Sequence, residues 1–330
     1  MGGEKWQPIC VRPRGLVRPA RLDPMGISGP TRGSARGPRW RRVGPGLYLP
    51  ADVDLDVVEQ RIVAQSGRLR ADGAITGWAA LRWRGAAYFD GNDATGRPAP
   101  VPLLIPGAGS RAADREVRYS WEQLPPWERQ LVAEMPCTTV VRALYDETRW
   151  SGSDRRAAVA VDMTIAAGLV ELEEFRMYVE SRPAWTGVYR ARFAADHACA
   201  GSRSPRESVM RLVWVLDARL PVPLCNQPVF SLNGDLLGYP DLFDPVAGLV
   251  GEYDGADHLR DDRRSRDRTR EERFRDHGLE YVAVVRGELN RVALVVRRLR
   301  AAYSRALFLP SDRCRWTLEE PAWFRRRMAG

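Results

Sequence analysis

Residues 238–258, GYPDLFDPVAGLVGEYDGADH, concentrate Asp241, Asp244, Glu252, Asp254, Asp257 and His258 in an otherwise strand-like stretch. Side chains alternate across a strand, so Glu252 and Asp254 share one face while Tyr253 points to the other. Ten residues separate Asp241 from Glu252, and FDPVAG among them supplies a turn. A hairpin of that kind brings the Asp241 and Glu252 carboxylates together at one end. Two carboxylates held close in a sheet repel, and one is driven neutral unless a cation sits between them. Hard oxygen donors of this kind suit Mg2+ or Mn2+. Asp241 and Glu252 are therefore the expected metal ligands. Asp244 falls on the opposite strand face just before Pro245 and reads as a turn residue.

The elements that must hold these residues form a regular order. A helix begins at SPRESVMRLVWVLDARL, where Ser204-Pro205-Arg206-Glu207 is a capping box with proline at the first helical position. Strands follow in QPVFSLNG, LLGYPDLFD and GLVGEYDG, then a charged helix, RRSRDRTREERFRDHG, the strand EYVAVV and a last helix, NRVALVVRRLRAAY. Helix, three strands, helix, strand predicts a compact α/β unit with one mixed sheet over 201–310. Upstream, RWRRVGPGLYLP reads as a short hairpin, DLDVVEQRIVAQSGRL and GAITGWAALRWRG as helices, APVPLLIP and REVRYS as strands. Residues 137–200 carry three apolar stripes at helical spacing and predict a helical linker bundle without chemistry of its own. Residues 1–38, rich in Gly, Pro and Arg, predict a disordered basic tail, and 311–330 a carboxyl-terminal tail. The expected fold class is α+β and multidomain.

An Asp after Pro at a strand, about ten residues, then an acid inside an apolar strand resembles the PD-(D/E)XK nuclease core. EYDGADH followed by RDRTREERFRDHGLEYVAVV is similar to domains related to very-short-patch-repair endonucleases. GLYLP, AITGWAALRWRG and VPLLIP over 39–136 resemble the AbiEi-type antitoxin domain, which usually starts with a winged helix-turn-helix. The resemblance implies a restriction-endonuclease-like fold with Asp241 and Glu252 on a divalent ion. It implies that Glu207 matches the acid of the preceding helix and that Arg270 faces a phosphate. The usual lysine two residues after the second acid is Asp254 here, and His258 lies where a histidine assisting the attacking water is expected. Lys5 is the chain's single lysine, so no lysine from the body fills that role. Arginine is a poor proton acceptor because its pKa exceeds about 12. The helices expected ahead of GLYLP would fall in the Gly/Pro-rich 1–38, so either the winged helix is degenerate or its helices are lost, with Arg39, Arg41 and Arg42 left to contact phosphate.

Charge and cysteine usage narrow the classes further. The net charge is +9, of which residues 1–42 hold ten basic and two acidic residues, 10 − 2 = +8. The remaining 288 residues are near neutral, so the basic balance has one location. Five scattered cysteines without a C-x-x-C pair argue against a disulfide framework or a zinc ribbon and fit a reducing cytoplasm. The amino terminus lacks the apolar run of a secretory signal, and no stretch reaches the roughly 18 apolar residues of a membrane helix. Two functions follow from the sequence. The first is a magnesium- or manganese-dependent endonuclease acting on nucleic acid, DNA by the resemblance, in repair or genome defence. The second is a non-catalytic DNA-binding regulator or antitoxin with a cognate toxin as partner.

Overall fold

A computed structural model describes residues 15–107, 114–255 and 270–328. The protein is α+β with mixed sheets, and it divides into two compact units, Met1–Ala195 and Asp196–Gly330.

In the first unit, β1 (Ala20–Arg21), β2 (Trp40–Gly44) and β3 (Leu47–Pro50) form an antiparallel sheet in the order β1-β3-β2. Its apolar face of Val43, Leu47 and Leu49 packs on Ala64 of α1 (Val58–Ser66). Residues 15–38 are ordered, against the disorder expected over 1–38, and residues 1–14 of that segment lie outside the described residues. Val17 exchanges two hydrogen bonds with the Gln60 amide, both at 2.8 Å. The Asp23 carboxylate accepts from the N–H groups of Met25, Ile27 and Ser28. Polar side chains thus satisfy a backbone that has no apolar period, a form of order that composition does not reveal. At Gly29 an added Cβ would lie 1.9 Å from the Arg21 carbonyl oxygen, so only glycine fits that approach.

A five-stranded mixed sheet follows, built from β4 (Ala74–Ile75), β5 (Val101–Leu104), β6 (Val117–Ser120), β7 (Arg129–Val132) and β8 (Met135–Thr138), in the order β6-β5-β4-β8-β7. With it go α2 (Gly77–Trp83), α3 (Val140–Trp150), α4 (Asp154–Ala166), α5 (Leu172–Glu180) and α6 (Val188–His197). The sequence sets 137–200 apart as a linker bundle, whereas the chain divides after Ala195 and these helices are continuous with the sheet. The reason is ionic. Arg142 of α3 has no exposed surface and pairs with Glu122 at 3.0 Å, Glu128 at 3.1 Å and Asp146 at 3.2 Å. Hydrophobic periodicity locates a helix but does not flag an arginine on its inner face.

The second unit opens with α7 (Pro205–Leu212), extended by a π-helical turn at Val213–Asp217. Then come β9 (Val229–Ser231), β10 (Leu236–Gly238), β11 (Leu242–Asp244), β12 (Leu249–Asp254), α8 (residues 270–276), β13 (Glu280–Val285) and α9 (Val292–Arg305). LLGYPDLFD, expected as one strand, forms two, because Pro240 has no N–H to continue a ladder. β10 and β11 belong to different sheets. β10 pairs with β9, which in turn pairs with β14 (Trp316–Thr317), and β11 joins the sheet β11-β12-β13. In that second sheet β11 and β12 are antiparallel, and β13 runs parallel to β12 over six residue pairs. After β14, α10 (Ala322–Met328) buries Phe324 with its ring centroid 5.0 Å from that of Phe230. Residues 311–328, expected as a tail, therefore complete a sheet and a core. Among the described residues no helix is long and apolar enough to cross a membrane.

Candidate functional site

β12 has two different faces. Gly251 points towards α7, where an added Cβ would meet Met210 at 3.0 Å and Trp214 at 3.1 Å. Val250, on the other face, packs with Phe243 and Phe274 of α8. Glu252 falls on this second face by alternation. Leu242 pairs with Gly251, so the next step of the antiparallel register sets Asp241 across from Glu252. The Asp241 carboxylate accepts the Tyr253 N–H at 2.7 Å. The hairpin thus brings the two expected ligands to neighbouring backbone positions.

Their charges are handled differently. Glu252 is buried, and its Oε1 lies 2.7 Å from Nη2 of Arg270, the first described residue of α8. Arg270 also donates to the Tyr239 carbonyl. Its guanidinium crosses Gly238, where a Cβ would stand 3.2 Å from Arg270 Nε and 3.0 Å from Phe274. Burial first, and the nearby Glu207 charge second, push the Asp241 carboxyl up to about 7, against the Tyr253 N–H, Arg270 and Arg203, which pull it down.

Glu207 donates its N–H to Ser204 Oγ at 3.2 Å, and its Oε2 accepts the N–H of Arg203, one residue ahead of the N-cap that the expected capping box would use, at 2.9 Å. The same oxygen accepts from Asn226 Nδ2 at 2.8 Å. Asn226 sits at φ +53° and donates its own N–H to the Pro240 carbonyl at 3.0 Å. It ties the helix acid to the backbone of the Asp241 bend. Sequence reasoning does not single out Asn226; its signal is an asparagine between PLC and QP, a residue that tolerates positive φ. Arg203 escapes it as well, and its guanidinium lies over the Tyr239 ring at 5.6 Å. Arg203, Asn226, Tyr239, Asp241, Arg270 and Arg273 line one cleft of about 430 Å3.

Asp254 ends β12 on the Glu252 face, and its carbonyl accepts the Arg286 N–H at 2.9 Å. His258 lies outside the described residues. Asp244 serves the turn, with Oδ1 accepting from Val246 at 2.9 Å and Ala247 at 3.1 Å. Arg39, Arg41 and Arg42 are exposed on the first unit. Arg41 donates to the Ala51 carbonyl at 3.0 Å and Arg42 to that of Gly44 at 3.1 Å, so backbone carbonyls anchor two of the charges.

Among the described residues no group of three or more His, Cys, Asp or Glu side chains is arranged to hold a metal ion. The donors present still suit one in kind. The Glu207 charge is near enough to Asp241 to raise its proton affinity. A divalent cation relieves that repulsion. Glu252 is already neutralised by Arg270. Compared with protein-family models, curated proteins and solved structures, the chain finds no match.

Proposed function

We propose that the second unit is a divalent-metal-dependent nuclease domain of the PD-(D/E)XK type, acting on DNA phosphodiesters in repair or genome defence. The observation that supports this reading most is the cleft in which the Asp241 acid and the Arg203 and Arg270 guanidiniums meet at the ends of β11 and β12. Asp241 and Glu252 would hold Mg2+ or Mn2+, which lowers the pKa of bound water and neutralises phosphate charge. The chain's own groups have separable roles. Arg203 and Arg270 bind the phosphate, Glu207 holds the Asp241 bend through Asn226, Asp254 orients water on the Glu252 face, and His258 accepts a proton. The first unit, in this reading, is a degenerate AbiEi-like domain whose Arg39, Arg41 and Arg42 contact the backbone of the duplex.

A second reading, a non-catalytic DNA-binding regulator or antitoxin with a cognate toxin, is favoured by the Glu252–Arg270 ion pair. An arginine there neutralises the acid without any metal, and the lysine of the usual motif is Asp254. Nicking of supercoiled DNA by the full chain with Mn2+ separates the two. The nuclease reading expects nicking that Glu252→Gln reduces by at least about 10²-fold, the loss typical when a group essential to the chemistry is removed. Saturable DNA binding without nicking of duplex, single strand or structured RNA selects the regulator.

A further inference from the structure

The first unit contains a second cleft, of about 480 Å3, that plays no part in the nuclease reading. Its floor is the carboxylate of Glu147 on α3. Glu147 Oε2 accepts the Trp78 N–H at 3.0 Å, and a Cβ on Gly77 would lie 3.4 Å from that oxygen. Among the described residues Glu147 has no ion-pair partner, and burial pushes its carboxyl up. Burial and the Glu147 charge together push the neighbouring Tyr88 hydroxyl up to about 12. The walls are Trp78, Tyr88 and Trp150. Four exposed charged residues also line the cleft: Arg118, seated 5.5 Å over the Trp150 ring, Arg156, and Asp90 and Asp93, whose Oδ1 atoms accept the turn N–H groups of Asn92 at 2.9 Å and Thr95 at 2.7 Å.

The order of charges restricts the ligand. A simple anion meets Glu147 on the floor. The Asp90 and Asp93 Oδ1 atoms are taken up by their own turns, and the Arg118 and Arg156 guanidiniums are the groups of the lining that meet an anion. A ligand with N–H donors at one end, a flat apolar middle and an anionic far end satisfies all three zones. A pocket of this size with aromatic walls and a few convergent polar groups is of the scale that takes small molecules. Among nucleobases, guanine sets its N1–H and N2–H donors side by side, matching the two oxygens of one carboxylate. Adenine and cytosine present a ring acceptor at that position, and uracil a single donor between two carbonyls. We propose that this cleft binds a guanine nucleotide, its base edge on Glu147 between the aromatic walls and its phosphate at Arg118 and Arg156. The inference is independent of the nuclease reading.

Calorimetric titration of the full chain with GMP, AMP and guanosine tests it. GMP is expected to saturate one site at least about 10-fold more tightly than AMP, because an acceptor facing a second acceptor is left unpaired. Guanosine, without the phosphate, should bind more weakly than GMP, and Arg118→Ala with Arg156→Ala should abolish that difference. E147Q should lose the preference for GMP over AMP while keeping the thermal midpoint, since the amide oxygen still accepts the Trp78 N–H. A guanine-containing single strand that binds with the same E147Q sensitivity, where GMP does not, places the base in nucleic acid and supports the same pocket chemistry. Equal affinity for GMP and AMP overturns the proposal without recourse to any variant. So does an E147Q chain that keeps the preference, or failure of both GMP and the guanine-containing strand to bind.

Discussion

At the scale of single residues, Asp241 has a consequence that does not depend on any activity. Its folded carboxyl is pushed up to about 7, above an unfolded value near 3.9. The folded state therefore holds the proton more tightly than the unfolded chain, and stability falls as pH rises from about 4 to about 7. Asp241→Asn removes that loss. Urea titration should find the variant more stable than the wild type at pH 8 by about 1–3 kcal/mol, with a gap that narrows towards pH 4. Parallel stability–pH curves for the two proteins would contradict the burial of the Asp241 carboxyl beside Glu207. The acids themselves are legible in the sequence, because Asp241, Glu252 and Asp254 interrupt apolar strands. Their partners are not. Arg203 and Asn226 stand in loop sequence with no periodic context, and they reach the cleft only through the folded bend at Pro240. The Glu252–Arg270 pair is also hidden, since Arg270 looks on the sequence like one more charge on a solvated helix.

At the scale of elements, closeness of packing decides where the acids sit. Gly251 lets α7 lie against β12, since a methyl group there would stand only 3.0 Å from Met210 and 3.1 Å from Trp214. Gly251→Ala should cost about 1–3 kcal/mol in chemical denaturation, as overpacking of a filled core does. An unchanged midpoint would mean that α7, and Glu207 with it, is free to shift. In the first unit the Arg142 hub joins β-sheet and helices. Arg142→Met leaves Glu122, Glu128 and Asp146 without their shared cation and should cost about 3–5 kcal/mol, the usual penalty for breaking a buried pair from one side. A loss below about 1 kcal/mol would show that Arg149, which also pairs with Glu122 and Asp146, and Arg182, which also pairs with Glu128, suffice to hold the carboxylates. The helices and most strands are readable from apolar period and from caps such as Ser153 and Ser204, whose hydroxyls accept from the Arg156 and Glu207 N–H groups. The split of LLGYPDLFD between two sheets is not, because period-two alternation says nothing about which neighbour a strand pairs with.

At the scale of the whole molecule, six of the eight net positive charges of residues 1–42 sit on folded structure. Residues 15–42 carry seven arginines against Asp23, 7 − 1 = +6, and they include β1, β2 and the Asp23 turn. Exchanging Arg39, Arg41 and Arg42 for Gln should reduce the salt dependence of duplex binding by about 0.9 in logarithmic slope for each phosphate no longer neutralised. An unchanged slope would mean that other residues neutralise the phosphates. Composition locates this charge correctly but misjudges its setting, because the bonds from Gln60 to Val17 tie down a segment that has no apolar period. The central claim, that Asp241 and Glu252 form a divalent-metal site, is tested most directly by calorimetric titration of the full chain with Mn2+. One saturable site is expected in the wild type and none in Asp241→Asn, with the fold of both intact by circular dichroism. Equal Mn2+ binding by wild type and variant, or no binding by the wild type, would contradict it.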